Sequence, residues 1–241
     1  MRKIVILPVF NEEEYIERLL PQLEDMVDIF IVVNDGSFDS SEEKILQWAK
    51  DRNNVYYEKL ASNKGMARAL KRGFCLVEQL LKEGKISNED LIITMDADGQ
   101  HNPEYIPAML KFMQGNDLDI LLARRDFSPY PLYRKLGNKM LSLYASILSG
   151  HKYKDVESGF RIMKASVIPC LLRYYIGFGY SNAQEIAIIS GILRLKINNE
   201  YLAQISYYKR GGPNFLDALI VATMSMLVFL RMITSRSKTG R

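Results

Sequence analysis

Four short apolar runs punctuate the first half of the chain, at residues 4–7, 29–33, 91–95 and 120–123. Their length and composition are those of strands buried on both faces, as the strands of a parallel sheet are. Between them the apolar spacing lengthens to that of helices. Segment 12–26 puts Tyr15, Ile16, Leu19, Leu20 and Leu23 on one side, and 42–50, 66–81 and 103–113 repeat the pattern. Strand and helix patterns in alternation predict an α/β fold with a mostly parallel central sheet built from right-handed βαβ units.

In such a sheet ligands bind at the carboxyl ends of strands, where helix N-termini and backbone amides favour anions. The polar motifs fall there. Pro8-Val9-Phe10-Asn11-Glu12 follows the first run, Asn34-Asp35-Gly36-Ser37 the second and Asp96-Ala97-Asp98-Gly99-Gln100-His101 the third. Each alone is ordinary, since Asn, Asp, Gly and Ser favour turns and a lone Asp-x-Asp is usually a solvated acidic turn. Together, at three strand ends, they point to one site. Asp96 and Asp98, two residues apart, can aim at a single divalent ion, and hard oxygen ligands suit Mg²⁺ or Mn²⁺ with phosphates completing the shell. Gln100 or His101 can add a ligand or a supporting contact. Asp35 is placed to accept hydrogen bonds from a base or ribose.

Further cations lie nearby in sequence. Lys64, in Asn63-Lys64-Gly65 at the start of a helix, offers positive potential, although the motif is equally a cap before small packing residues Ala67, Ala69 and Gly73. Arg124, Arg125 and Arg134 suit forked phosphate contacts but are also common on surfaces. Lys209 and Arg210, in a Gly- and Pro-containing segment, read either as a basic loop over a diphosphate or as a solvated turn.

Composition narrows the class. The 241 residues are 48% hydrophobic and 25% charged, ordinary for one large globular domain. A net charge of +4 without a dense basic tract argues against nucleic acid as partner. Cys75 and Cys170 form no CxxC, and the first apolar run is too short for a signal peptide; both favour a reduced, cytoplasmic setting. We divide the chain into residues 1–212 and a C-terminal segment, 213–241, which is apolar and carries only basic charges beyond Asp217. Its stretch 215–233 approaches a bilayer span of roughly 20 residues. Asp217, Thr223 and Ser225 interrupt it, so an interfacial helix or a buried C-terminal helix fits as well, and peripheral attachment to a cytoplasmic leaflet is the preferred reading.

These motifs, with Ser158-Gly159-Phe160-Arg161, occur in an order and spacing that resemble family 2 glycosyltransferases, in the branch of dolichyl-phosphate mannose synthase and related polyprenyl-phosphate sugar transferases. The resemblance implies a GT-A, Rossmann-like nucleotide-sugar-binding fold. Pro8, Phe10, Glu12 and Asp35 would line the nucleoside pocket, with Lys64 beside them. Asp96, Ala97 and Asp98 would form the loop for metal and diphosphate, with Gln100 as a further metal ligand. Arg124 and Arg134 would meet donor or acceptor phosphate, Glu185 would lie near the acceptor, and Lys209 or Arg210 would grip the diphosphate. The implied reaction is inverting, metal-dependent transfer from a nucleotide sugar of the GDP-mannose or UDP-glucose type to a polyprenyl or dolichyl phosphate. A phosphate acceptor, with a second pKa near ~6, needs no general base. Transfer to a saccharide or protein hydroxyl would need one, from Asp155, Glu157 or Glu185. A nucleotide-sugar-binding module without turnover is the alternative outside enzymes. The chain departs from the family pattern at Asn34, where Asp is usual, at Glu157, where Thr is usual, and in the late segment around Lys209 to Asn214.

Overall fold

The alternating pattern folds into one seven-stranded sheet flanked by helices, in a computed structural model that describes residues 1–203, 205 and 215–238. In chain order the elements are β1 (Lys3–Val9), α1 (Glu13–Leu23), β2 (Ile29–Asn34), α2 (Ser41–Ala49), β3 (Val55–Lys59), α3 (Met66–Lys82), β4 (Leu91–Thr94), α4 (Tyr105–Gly115), β5 (Ile120–Leu122) and β6 (Arg124–Arg125). There follow α5 (Leu132–Ser149), β7 (Arg161–Lys164), α6 (Val167–Tyr174), α7 (Asn182–Ile192), β8 (Ile197–Asn198), β9 (Leu202–Ala203) and α8 (Phe215–Lys238). The sheet order is β3-β2-β1-β4-β7-β5-β8, and β6 pairs separately with β9.

Alternate residues of each strand serve opposite faces. Ile4 and Ile6 of β1 join α3, α6, α7 and α8 in one core layer, whereas Val5, Leu7 and Val9 join α1, α2 and α4 in the other. Both faces are therefore covered, which is why the strand runs read as continuous apolar segments.

All pairs are parallel except those of β7, which runs antiparallel between β4 and β5. That reversal matters for the site. With Ile93 opposite Ile162 and Thr94 opposite Arg161, the residues just before β7 meet those just after β4. The Thr94 hydroxyl donates to the Gly159 carbonyl at 3.0 Å, fixing Ser158-Gly159-Phe160 beside the acidic loop.

The C-terminal segment is not detached from the body. Helix α8 buries Val221, Val228 and Met232, the last two within the core layer shared with α7, and the Tyr144 hydroxyl of α5 donates to the Ala222 carbonyl at 3.0 Å.

Candidate active site

The ends of β1, β2 and β4 surround a cleft of about 540 Å³. Its first wall comes from β1. Asn11 adopts a left-handed φ of 54°, a conformation that Asn tolerates. Its side-chain oxygen accepts from Phe38 N–H at 3.0 Å, and its own N–H donates to Ser37 Oγ at 3.0 Å. Glu12 N–H donates to the buried Ser41 hydroxyl at 2.8 Å. These bonds lock the first loop to the second and leave Pro8, Phe10 and Glu12 lining the cleft.

The end of β2 supplies the next wall. Asn34 accepts from Ser37 N–H at 2.8 Å and donates to the Tyr57 hydroxyl at 3.0 Å, which itself donates to Glu42. A carboxylate could not donate to Tyr57 while that hydroxyl serves Glu42, so this network accounts for Asn where Asp is usual. Asp35 accepts the main-chain N–H of Lys64 and of Gly65, each at 2.8 Å, and thereby anchors the start of α3. Burial pushes its carboxyl up, against the pull of those two bonds. Each oxygen keeps a second lone pair for a ligand hydroxyl or amine.

Asp96, Ala97 and Asp98 form the floor. Burial raises both carboxyls, and Asp98 is raised further by the Asp96 charge beside it. Gly99 turns the loop at φ 77°, where a Cβ would strike Tyr15 at 2.6 Å. Gln100 enters through its main chain, its N–H donating to Asp98 at 3.0 Å, and its side chain is not among those lining the cleft. His101 is buried, stacked on Phe160 at 5.2 Å, and accepts Asp96 N–H through Nδ1 at 2.8 Å. Burial lowers its pKa to about 4, so the ring is neutral with its proton on Nε2. The 3.7 Å approach of Nε2 to Asp96 is then a dipolar contact rather than an ion pair, and His101 supports the loop instead of offering a lone pair.

Two contributors were not assigned a role from the sequence. Gly159 lies so close to Asp96 that a Cβ would stand 2.7 Å from its carboxylate oxygen. Arg161, 1% exposed, sets its charge near Asp96, and its Nε and Nη2 have no hydrogen-bond partner among the described residues. The other is the opposite wall, Phe178, Gly179 and Tyr180. The Gly179 carbonyl accepts Ala67 N–H at 3.3 Å, which stitches this wall to the start of α3. Closely spaced glycines and aromatics in Gly177-Phe178-Gly179-Tyr180 were the available signal.

None of the other described candidates lines the cleft. Glu185 is fully buried and spends its carboxylate on Ile176 N–H at 2.6 Å, Gly177 N–H at 3.1 Å and the Ser181 hydroxyl. It thereby holds the segment that leads into the Phe178 wall. Burial pushes its carboxyl up, against those bonds. Asp155, a candidate base, is fully buried in a forked pair with Arg125 at 2.9 and 2.8 Å, so it has no proton-accepting task to spare. Arg125 also donates to Asn138 at 2.8 Å and is likewise committed. Glu157 accepts from Gln184 at 2.8 Å, with its carboxyl raised by burial. Arg124 is half-buried in β6 with Nε lacking a partner among the described residues, and Arg134 lies in the first turn of α5. Lys209 and Arg210 lie outside the described residues.

With this geometry in view, comparison with known proteins is informative. The sequence model of the family described as Glycosyl transferase family 2 matches residues 4–172. UDP-N-acetylglucosamine–dolichyl-phosphate N-acetylglucosaminyltransferase of Methanococcus voltae is 28% identical over 233 residues, covering 88% of this chain and 90% of its own. Dolichol-phosphate mannosyltransferase of Pyrococcus furiosus is 29% identical over 236 residues, covering 85% of this chain and 63% of its own. Glucosyl-3-phosphoglycerate synthase from Mycobacterium tuberculosis, solved with Mn²⁺, UDP-glucose and phosphoglyceric acid, has a TM-score of 0.63 at 18% identity, covering 95% of this chain and 79% of its own. That likeness is one of fold.

Proposed function

The chain belongs to glycosyl transferase family 2, and we propose that this glycosyltransferase moves a hexose from a nucleotide sugar to a polyprenyl phosphate. The observation that carries the reading is the convergence of the Asp96 and Asp98 carboxylates with Pro8, Phe10, Asp35 and Lys64 on one cleft. The dolichyl-phosphate transferases among its relatives support the acceptor class. So does the commitment of two of the three candidate bases, Asp155 to Arg125 and Glu185 to backbone amides, because transfer to a hydroxyl needs a free base and transfer to a phosphate does not; the third, Glu157, accepts from Gln184 and does not line the cleft.

Asp96 and Asp98 fit a divalent cation, Mg²⁺ or Mn²⁺. They are hard oxygen donors, and burial raises each carboxyl, which a bound cation would offset. When bound, such a cation offsets charge developing on the leaving diphosphate. Around it, Asp35 holds Lys64 and Gly65 at the mouth of α3, adding a cation and a helix N-terminus on the donor side. An acceptor phosphate oxygen then attacks the anomeric carbon opposite the diphosphate. The new sugar–phosphate bond forms as the sugar–diphosphate bond breaks, with inversion. Arg124, Arg134 and either Lys209 or Arg210 are the cations we assign to the phosphates.

The test is incubation of the full chain with GDP-mannose, UDP-glucose or UDP-N-acetylglucosamine, Mn²⁺ and a short polyprenyl phosphate, read by mass spectrometry. A glycosylated lipid phosphate is expected from one donor, with Asp98→Ala lowering its rate by ~100-fold or more while the fold is kept. Hydrolysis of the donor without lipid product, or transfer only to hydroxyl acceptors, would reject the reading.

A further inference from the structure

Helix α5 is built inside out. Its inward positions include Asn138, Ser142 and Ser149, all buried, with Asn138 bonded to Arg125 and the Ser142 hydroxyl accepting Val156 N–H at 3.1 Å. Its outward positions Leu132, Leu136, Met140, Leu143 and Ile147 form one stripe and are 58–80% exposed. A water-facing helix has the opposite arrangement.

Helix α8, packed against α5, is apolar on its outer side as well. It buries Val221, Ser225, Val228 and Met232 and turns Leu216, Leu219, Leu227, Leu230 and Ile233 outward. Of the 18 exposed large hydrophobics among the described residues, 12 lie on these two helices. Phe178 and Tyr180, at the cleft wall, are two more, and the intervening Gly179 lies against Ile220 of α8. The face thus reaches the cleft. The charges on these helices are mostly basic: α5 carries Arg134, Lys135 and Lys139 and no acid, and the sequence of α8 carries one acid, Asp217, followed only by basic residues.

We propose that α5 and α8 together form a docking face that lies on an anionic lipid leaflet, with α8 resting on the surface rather than crossing it. Apolar stripes flanked by cations match acyl chains beneath anionic head groups. Although Leu216–Ser235 is apolar enough to span, its buried positions run from Val221 to Met232 against α7 and α5, and spanning would strip them from the body. The inference stands on these helix faces and not on the sugar-transfer reading, so vesicle binding and turnover can fail separately.

Flotation of the full chain with phosphatidylcholine vesicles, with and without phosphatidylglycerol, tests it. Binding is expected with the anionic vesicles and should weaken in high salt. Leu136→Glu with Leu143→Glu, both at exposed positions, should lower the bound fraction about tenfold while leaving the thermal transition and nucleotide binding unchanged. Cysteines placed at Leu216 and Ile233, in a background lacking Cys75 and Cys170, should both react with an impermeant maleimide in the free protein and both be shielded once anionic vesicles are bound. Absence of wild-type flotation, or flotation of the glutamate variant at the wild-type level, would overturn the proposal. So would labelling of only one end of α8 once vesicles are bound. A wild-type dimer turned into a monomer by the glutamates, with vesicle binding intact, would assign the face to a second copy instead.

Discussion

Gly159 affects the chemistry by what it lacks. Its backbone packs against the Asp96 carboxylate, and a methyl group there would stand 2.7 and 2.8 Å from the two oxygens. The carboxylate is the far end of a side chain, so it can swing away without disturbing the sheet. Gly159→Ala should therefore reduce turnover by ~100-fold, the scale of an ångström-sized displacement of a reacting group. It should also raise the Mn²⁺ concentration needed for half-activity, with little change in melting temperature. Metal titration of activity together with a thermal melt checks both. Asn34 makes a related point: a departure from the family pattern at one position is explained by a partner, Tyr57, that no local sequence window contains.

Among the elements, α7 differs most from what spacing arguments detect. It is buried on every side, with Gln184, Glu185 and Ser190 inside, and so it has no polar stripe to announce it. The carboxylate of Glu185 at its first turn organises the segment that leads into the Phe178–Tyr180 wall. Glu185→Gln replaces an acceptor with an amide that turns a donor toward main-chain N–H groups. The expected loss of stability is ~1–3 kcal/mol, the cost of leaving buried donors unsatisfied. Donor KM should rise about tenfold with a smaller change in kcat, because the Glu185 carboxylate is spent on the main chain that leads into the wall. Denaturant unfolding and steady-state kinetics distinguish this from a catalytic role, in which kcat would fall most. Strand β7 escaped notice for a different reason: Arg161-Ile162-Met163-Lys164 has charged ends and only two apolar residues between them.

For the whole molecule, the two cleft acids and buried His101 make opposing demands as pH changes. Asp96 and Asp98 have folded pKa values above the ordinary 3.8, so their contribution favours the fold at low pH and is lost as pH rises through the raised values. His101, lowered from 6.5 to about 4, works the other way: its contribution is present above 6.5 and is lost as pH falls toward 4. A bound divalent cation keeps the carboxylates ionised and removes their low-pH benefit. Mn²⁺ at a hundred times its dissociation constant should stabilise the protein by ~2.7 kcal/mol at neutral pH, and the increment should shrink as the medium is acidified. Thermal melts with and without Mn²⁺ across this range are the check. An increment that is constant with pH would place the cation away from Asp96 and Asp98.

What the chain determined by itself was its alternating architecture and three of the loops that meet at the cleft. Apolar runs and turn residues are local signals, and the ends of parallel strands necessarily face one way, so Pro8, Phe10, Glu12, Asp35, Asp96 and Asp98 could be grouped before any coordinates. Tertiary structure decided what each polar group is spent on. Asp155 and Glu185 look like free acids in sequence, but packing gives the first to Arg125 and the second to backbone amides. It also decided that β7 runs antiparallel, bringing Gly159 and Arg161 to Asp96, and that the apolar side of α5 faces outward. Periodicity reports that a helix has two faces; only its neighbours settle which one is turned inward.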